Sequence, residues 1–81
     1  MVLYDKVYRY HLGLIAGKND LDLSSQERLE VAYLLGLAIG ILGQSGAIPP
    51  QRLIRMCTDR QQYTARVNDR VEAIITRLAA G

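Results

Sequence analysis

The sequence predicts an all-α fold, a small domain of three to four helices that pairs with a second copy of itself. Three observations predict it. Apolar residues recur at three- and four-residue steps along most of the chain. Helix start and stop signals divide that pattern into segments: capping boxes at Ser24 and Thr58, glycines at 17 and 46, and Pro49-Pro50. No segment alternates apolar and polar residues as a half-buried strand does. The 81 residues make one domain.

The first helix is expected over residues 2–16. Leu3, Val7, Tyr10 and Leu14 form one apolar row, and Tyr4, Tyr8, His11 and Ile15 an adjacent one. Asp5 and Arg9 are four apart and can pair across a turn. Gly17 is a natural residue to stop this helix. A polar connection follows, ending in Ser24-Ser25-Gln26-Glu27. There the Ser24 hydroxyl can accept from the Glu27 N–H while the Glu27 carboxylate returns the bond.

The second helix is expected over residues 25–44. From Val31 to Gly43, thirteen consecutive residues carry no polar side chain group except the Tyr33 hydroxyl. A membrane span needs about 20 apolar residues, so no membrane role is expected. A helix apolar on every side must instead be covered on every side. Ala32, Gly36 and Gly40 are spaced by four, and Gly43 continues the run of small residues. Each interior glycine costs about 1 kcal/mol relative to alanine, so close approach of another helix backbone has to compensate. A second copy is the expected neighbour, with Ala32, Leu35, Gly36, Ile39, Gly40 and Gly43 at the dimer interface. The alternative is that this ridge seats the chain's own first or last helix.

Gln44-Ser45-Gly46 ends that helix, and Pro50 suits the first position of the next. A short helix over 50–57 and a last helix over 59–79 are expected, the latter starting at the Thr58 capping box. Tyr63, Val67, Val71, Ile74 and Leu78 would form its apolar seam. One continuous helix through both segments is the alternative.

Size and composition narrow the function classes. A chain this short buries about 60–65% of its unfolded surface, a marginal core that is usually reinforced by disulfides, a metal or oligomerisation. Cys57 is the only cysteine and His11 the only histidine, so neither an internal disulfide nor a metal site is expected. Oligomerisation remains. Asp5, Lys6 and Arg9 break the first apolar stretch, and no small-residue cleavage site follows. The cytoplasm is therefore the expected compartment. No glycine-rich phosphate loop, nucleophile–base pair or carboxylate pair stands out. Neither catalysis nor a cofactor nor a small-molecule substrate is expected.

Two surfaces are candidates for binding. The net charge of +2 is unevenly placed, since residues 50–81 carry six arginines against Asp59, Asp69 and Glu72. Arg52, Arg55, Arg66 and Arg70 could contact DNA or an acidic partner. The plainer reading is a solvated helix face paired locally with those three acids. A helix-turn-helix is hard to place here, because its turn would hold two prolines and its reading helix would be short. Tyr4, Tyr8 and His11 are the second candidate, a partner surface. Tyrosine buries much area at low entropic cost and keeps a hydroxyl.

A capped acidic start, an apolar helix, a Ser-Gly turn, a short helix and a longer last helix together form a pattern. It resembles the AriR/YmgB-type biofilm and acid-resistance regulators, small two-component-system connectors. The resemblance spans about residues 27–78 and is carried by Glu30-Val31, Leu35-Gly36, Ala38-Ile39, Leu42, Ser45-Gly46, Ile48, Leu53-Ile54, Val67, Val71 and Ile74. Pro49-Pro50, the glycine ridge and the long apolar first helix depart from that family's pattern. The resemblance implies a helical homodimer and a regulatory adaptor in stress or biofilm signalling, acting through a protein partner. A small dimeric DNA-binding regulator is the alternative, and no catalytic residue is implied.

Overall fold

The computed structural model describes residues 2–45, 47–58 and 63–81, apart from the Ser45 side chain. Four helices follow one another: α1 (Leu3–Ile15), α2 (Ser25–Ser45), α3 (Pro50–Thr58) and α4 (Ala65–Ala80). Among the described residues there is no strand.

The first connection is built from the predicted signals. Gly17 takes φ +103°, a conformation that glycine adopts without steric cost. Its N–H donates to Leu14 O at 3.1 Å, and the Lys18 N–H reaches Gly13 O at 2.9 Å. These are the two bonds of a Schellman stop. Asn19 then holds the loop: its side-chain oxygen accepts from the Leu23 N–H at 2.8 Å and its amide donates to Leu23 O. The Ser24 capping box forms as expected, with both reciprocal bonds at 3.1 Å. Two distant cations also serve helix ends. Arg28 donates to Leu14 O at the end of α1, and the Lys6 ammonium donates to Leu78 O at the end of α4, at 3.2 Å. Leu14 O thereby gains a second donor beside the Gly17 N–H, and positive charge suits that end of a helix.

α2 is the axis of the fold. It packs against α1, α3 and α4, while α4 also touches α1 and α3; α1 and α3 do not meet. Val31, Ala32, Leu34, Leu35, Ala38 and Leu42 of α2 are buried among Val7, Leu14, Leu23, Leu53, Cys57, Val67, Val71, Ile74 and Ile75. The radius of gyration is 11.5 Å. A single packed globule of this length is expected near ~11.7 Å. Three neighbouring helices therefore cover much of α2, where the sequence pattern had suggested that too little chain remained to wrap it.

The end of the molecule differs most from expectation. α3 extends through Thr58, whose hydroxyl donates back to Ile54 O at 2.8 Å. Thr58 is thus the last residue of α3, not the cap of a helix beginning at 59; the remainder of that expected box, 59–61, lies outside the described residues. Thr64 caps α4 instead, with an extended backbone and its hydroxyl accepting from the Val67 N–H at 3.3 Å. α3 and α4 are accordingly two helices. Val67, Val71, Ile74 and Leu78 keep their place in the seam, whereas Tyr63 precedes the helix and sets its ring edge-on to Tyr33 at 6.4 Å. Gly46, the expected stop of α2, also lies outside the described residues.

Candidate functional site: an apolar face on α1 and α2

The small residues of α2 divide between two surroundings. Ala32 and Leu35 are buried in the chain's own core. A methyl group on Gly36 would stand 3.4 Å from the His11 ring, and one on Gly43 would stand 3.4 Å from the Tyr4 ring. Both glycines therefore seat α1. Burial in the protomer takes Ala32 and Leu35 out of the expected dimer interface, whereas Gly36 is partly covered by α1 and Gly43, beside Tyr4, stays exposed; spacing reveals a small-residue ridge but not which helix covers it. Ile39 is partly buried against the core. Gly40 alone has open space, with nothing within 4 Å of a methyl placed there.

Beside this seam runs an exposed apolar face. Tyr4, Tyr8, Leu12 and Ile15 follow one another at helical steps on α1 and are 36–59% exposed. The Tyr4 and Tyr8 rings lie 6.1 Å apart, tilted by 31°. On α2, Leu29 is 58% and Tyr33 52% exposed. Positions 29, 33, 36 and 40 form one row of three- and four-residue steps. Gly36, under His11, ties that row to the α1 face. Among the described residues, six of the eight exposed large apolar residues thus belong to α1 and this row, the others being Val2 and Met56. Exposed apolar surface gathered in this way marks interaction sites. His11 lies at the junction, half-buried, and its Nδ1 is buried without a hydrogen-bond partner among the described residues.

Tyr4 and Tyr8 stay accessible, as a partner surface requires, and His11 turns inward over Gly36. Leu12, Leu29 and Tyr33 were missed as members of this face. The four-residue step from Tyr8 to Leu12 was the available signal for the first of them.

Among the described residues, the arginines of α3 and α4 do not gather in one patch. Arg66 and Arg70 of α4 stand on the side of that helix turned toward the start of α2, where Arg66 Nε meets Glu27 at 2.7 Å. Arg77, on the same side, faces Asp20 at 3.9 Å and covers the Tyr10 ring at 5.5 Å from its centroid. Arg55 of α3 shares a different cleft, between α3 and α4, with Glu72. Arg52 is exposed on α3. The partners of Arg66 and Arg77 come from the start of α2 and the α1–α2 connection, not from the nearby Asp69 or Glu72 of the sequence reading; Asp59 lies outside the described residues. Arg9 makes no ion pair with Asp5 within 4.0 Å.

Two side chains have shifted protonation. The Glu27 carboxyl is held below its ordinary value, first by the hydrogen bond from the Ser24 backbone; partial desolvation opposes this and the Arg66 charge adds to it. Burial raises the Tyr10 hydroxyl above its ordinary value, and the bond it donates to Asp20 at 2.8 Å acts in the same direction. Cys57 is buried in the core. Among the described residues, no three His, Cys, Asp or Glu side chains gather where they could hold a metal ion, and no helix is long and apolar enough to cross a membrane. No protein-family model, curated protein or solved structure matches the chain, so the resemblance noted over residues 27–78 gains no support from comparison.

Proposed function

We propose that this chain is a non-enzymatic interaction protein whose working surface is the exposed face of α1 and α2, and that the first occupant of this surface is a second copy of the chain. The observation that carries the reading is the uninterrupted run of Tyr4, Tyr8, Leu12 and Ile15 along α1, beside Leu29, Tyr33 and the open Gly40 of α2. Charge does not oppose self-association. The net charge is only +2. A protomer that closes on its own core favours a side-by-side dimer over an intertwined one. Exposed Gly40 supplies the point of closest approach, the role that the sequence had given to the whole ridge.

A regulatory adaptor role in stress or biofilm signalling, through a protein partner and in the cytoplasm, rests on the family resemblance and is part of the proposal. DNA binding is the weaker reading. Arg66 is engaged by Glu27, and the arginines of α3 and α4 occupy separate sites. The test is a dilution series followed by amide chemical shifts. Self-association through this face predicts concentration-dependent shifts at Tyr8, Leu12, Tyr33 and Gly40, with α3 unaffected. Shifts independent of concentration up to millimolar protein would contradict it.

A further inference from the structure

A second site lies away from that face, in a cleft of about 400 Å³ between α1, the start of the α1–α2 connection and the end of α4. Its volume falls within the range of small-ligand sites. Tyr10, Gly13, Leu14 and Leu78 give it an apolar lining; Lys6, Arg9 and Lys18 supply three cations and Asp20 the one acid. That acid is already engaged, since it accepts from the Tyr10 hydroxyl at 2.8 Å and faces Arg77 at 3.9 Å. Among the described residues, Lys6, Arg9 and Lys18 have no carboxylate within 4.0 Å. One proton of Lys6 serves Leu78 O, and the remaining two are available. The Lys18 stem folds back across Gly13, its Cδ 3.4 Å from where a glycine methyl would sit, so the side chain lies over the cleft and not away from it.

We infer that this cleft binds a small soluble organic phosphate, its phosphate among Lys6, Arg9 and Lys18 and its apolar body against Tyr10, Leu14 and Leu78. A dianionic phosphate matches three cations better than a carboxylate does, and its oxygens accept from ammonium and guanidinium alike. The inference does not depend on self-association, because the cleft lies on the other side of α1 from the Tyr4–Ile15 row.

The test is a titration of the isotope-labelled full chain with phenyl phosphate, with benzoate and inorganic phosphate in parallel, all at matched ionic strength. Saturable amide shifts at Tyr10, Gly13, Leu14 and Leu78 are expected with phenyl phosphate, and weaker responses with the other two. Arg9→Gln and Lys18→Gln, both at exposed side chains, should each weaken the affinity about tenfold while leaving Tm unchanged. Arg52→Gln, on α3, should not alter it. The inference is overturned by shifts that never saturate, by equal response to all three anions, or by unchanged affinity in the Arg9→Gln/Lys18→Gln double variant. Cosedimentation with phosphatidic-acid vesicles without any response to phenyl phosphate would also overturn it, by assigning the cations to a lipid surface.

Discussion

Glu27 performs two tasks with one carboxylate. It closes the capping box with Ser24 and receives Arg66 from α4, tying the start of α2 to a helix far away in sequence. Its folded-state pKa is depressed from the ordinary 4.5. Stability from this group is therefore present above that value and lost as pH falls through the depressed one. The stability difference between wild type and Glu27→Gln should be seen in urea melts at pH 7, shrink as pH falls through the depressed value, and vanish once the folded carboxyl is protonated. A difference that persists there would place the carboxylate's contribution elsewhere. The glycines separate as sharply. Gly36→Leu drives a side chain into His11 and should destabilise the fold by about 1–3 kcal/mol, as overpacking does. Gly40→Leu has open space and should leave protomer stability within about 1 kcal/mol of wild type. Equal losses at the two positions would contradict the way α1 is seated.

At the scale of elements, the two threonines near the α3–α4 corner decide where the last helix begins. Thr64→Ala removes a side-chain cap and should cost about 1 kcal/mol, whereas Thr58→Ala removes only a bond back to its own helix and should cost less. The reverse ranking in chemical denaturation would mean that Thr58 is the cap. This corner also shows what was legible in the sequence. The bounds of α1, α2 and α3 were readable to within about one residue, because Gly17 and the Ser24 box mark boundaries through their own local bonds and Pro50 through its fixed φ. The start of α4 was not readable. Thr58-x-x-Gln61 has the same pattern as a working box, while Thr64 is followed three residues later by Val67, which completes no box. Tertiary facts were hidden for a related reason. Spacing showed small residues on α2 but not that His11 and Tyr4 would lie over two of them. Nearby acids suggested partners for the arginines, yet Glu27 and Asp20 arrive only when the chain folds back.

At the scale of the molecule, an 81-residue chain has made a core around one nearly all-apolar helix and, among the described residues, left most of its exposed large apolar side chains on one side. α3 and α4 bury Leu53, Cys57, Val67, Val71, Ile74 and Ile75, and the one large apolar side chain these two helices leave exposed is Met56, at 40%. α1 and the adjoining row of α2 expose six. A domain this small gains more than a large one does from covering such a face, because its own core is marginal. The face is also uncharged at its centre, so its association should respond weakly to salt, unlike DNA binding through arginines, which falls steeply as salt rises.

The most direct test is sedimentation equilibrium over a wide concentration range, comparing wild type with Leu12→Glu and with Met56→Glu. Leu12 is exposed in the protomer, so a charge there leaves the core untouched while placing an unpaired carboxylate at the centre of the proposed contact. A monomer–dimer equilibrium is expected for wild type and Met56→Glu, and a monomer for Leu12→Glu with its helical content unchanged. A wild-type chain that stays monomeric throughout, or a Leu12→Glu chain that dimerises as tightly as wild type, would contradict it.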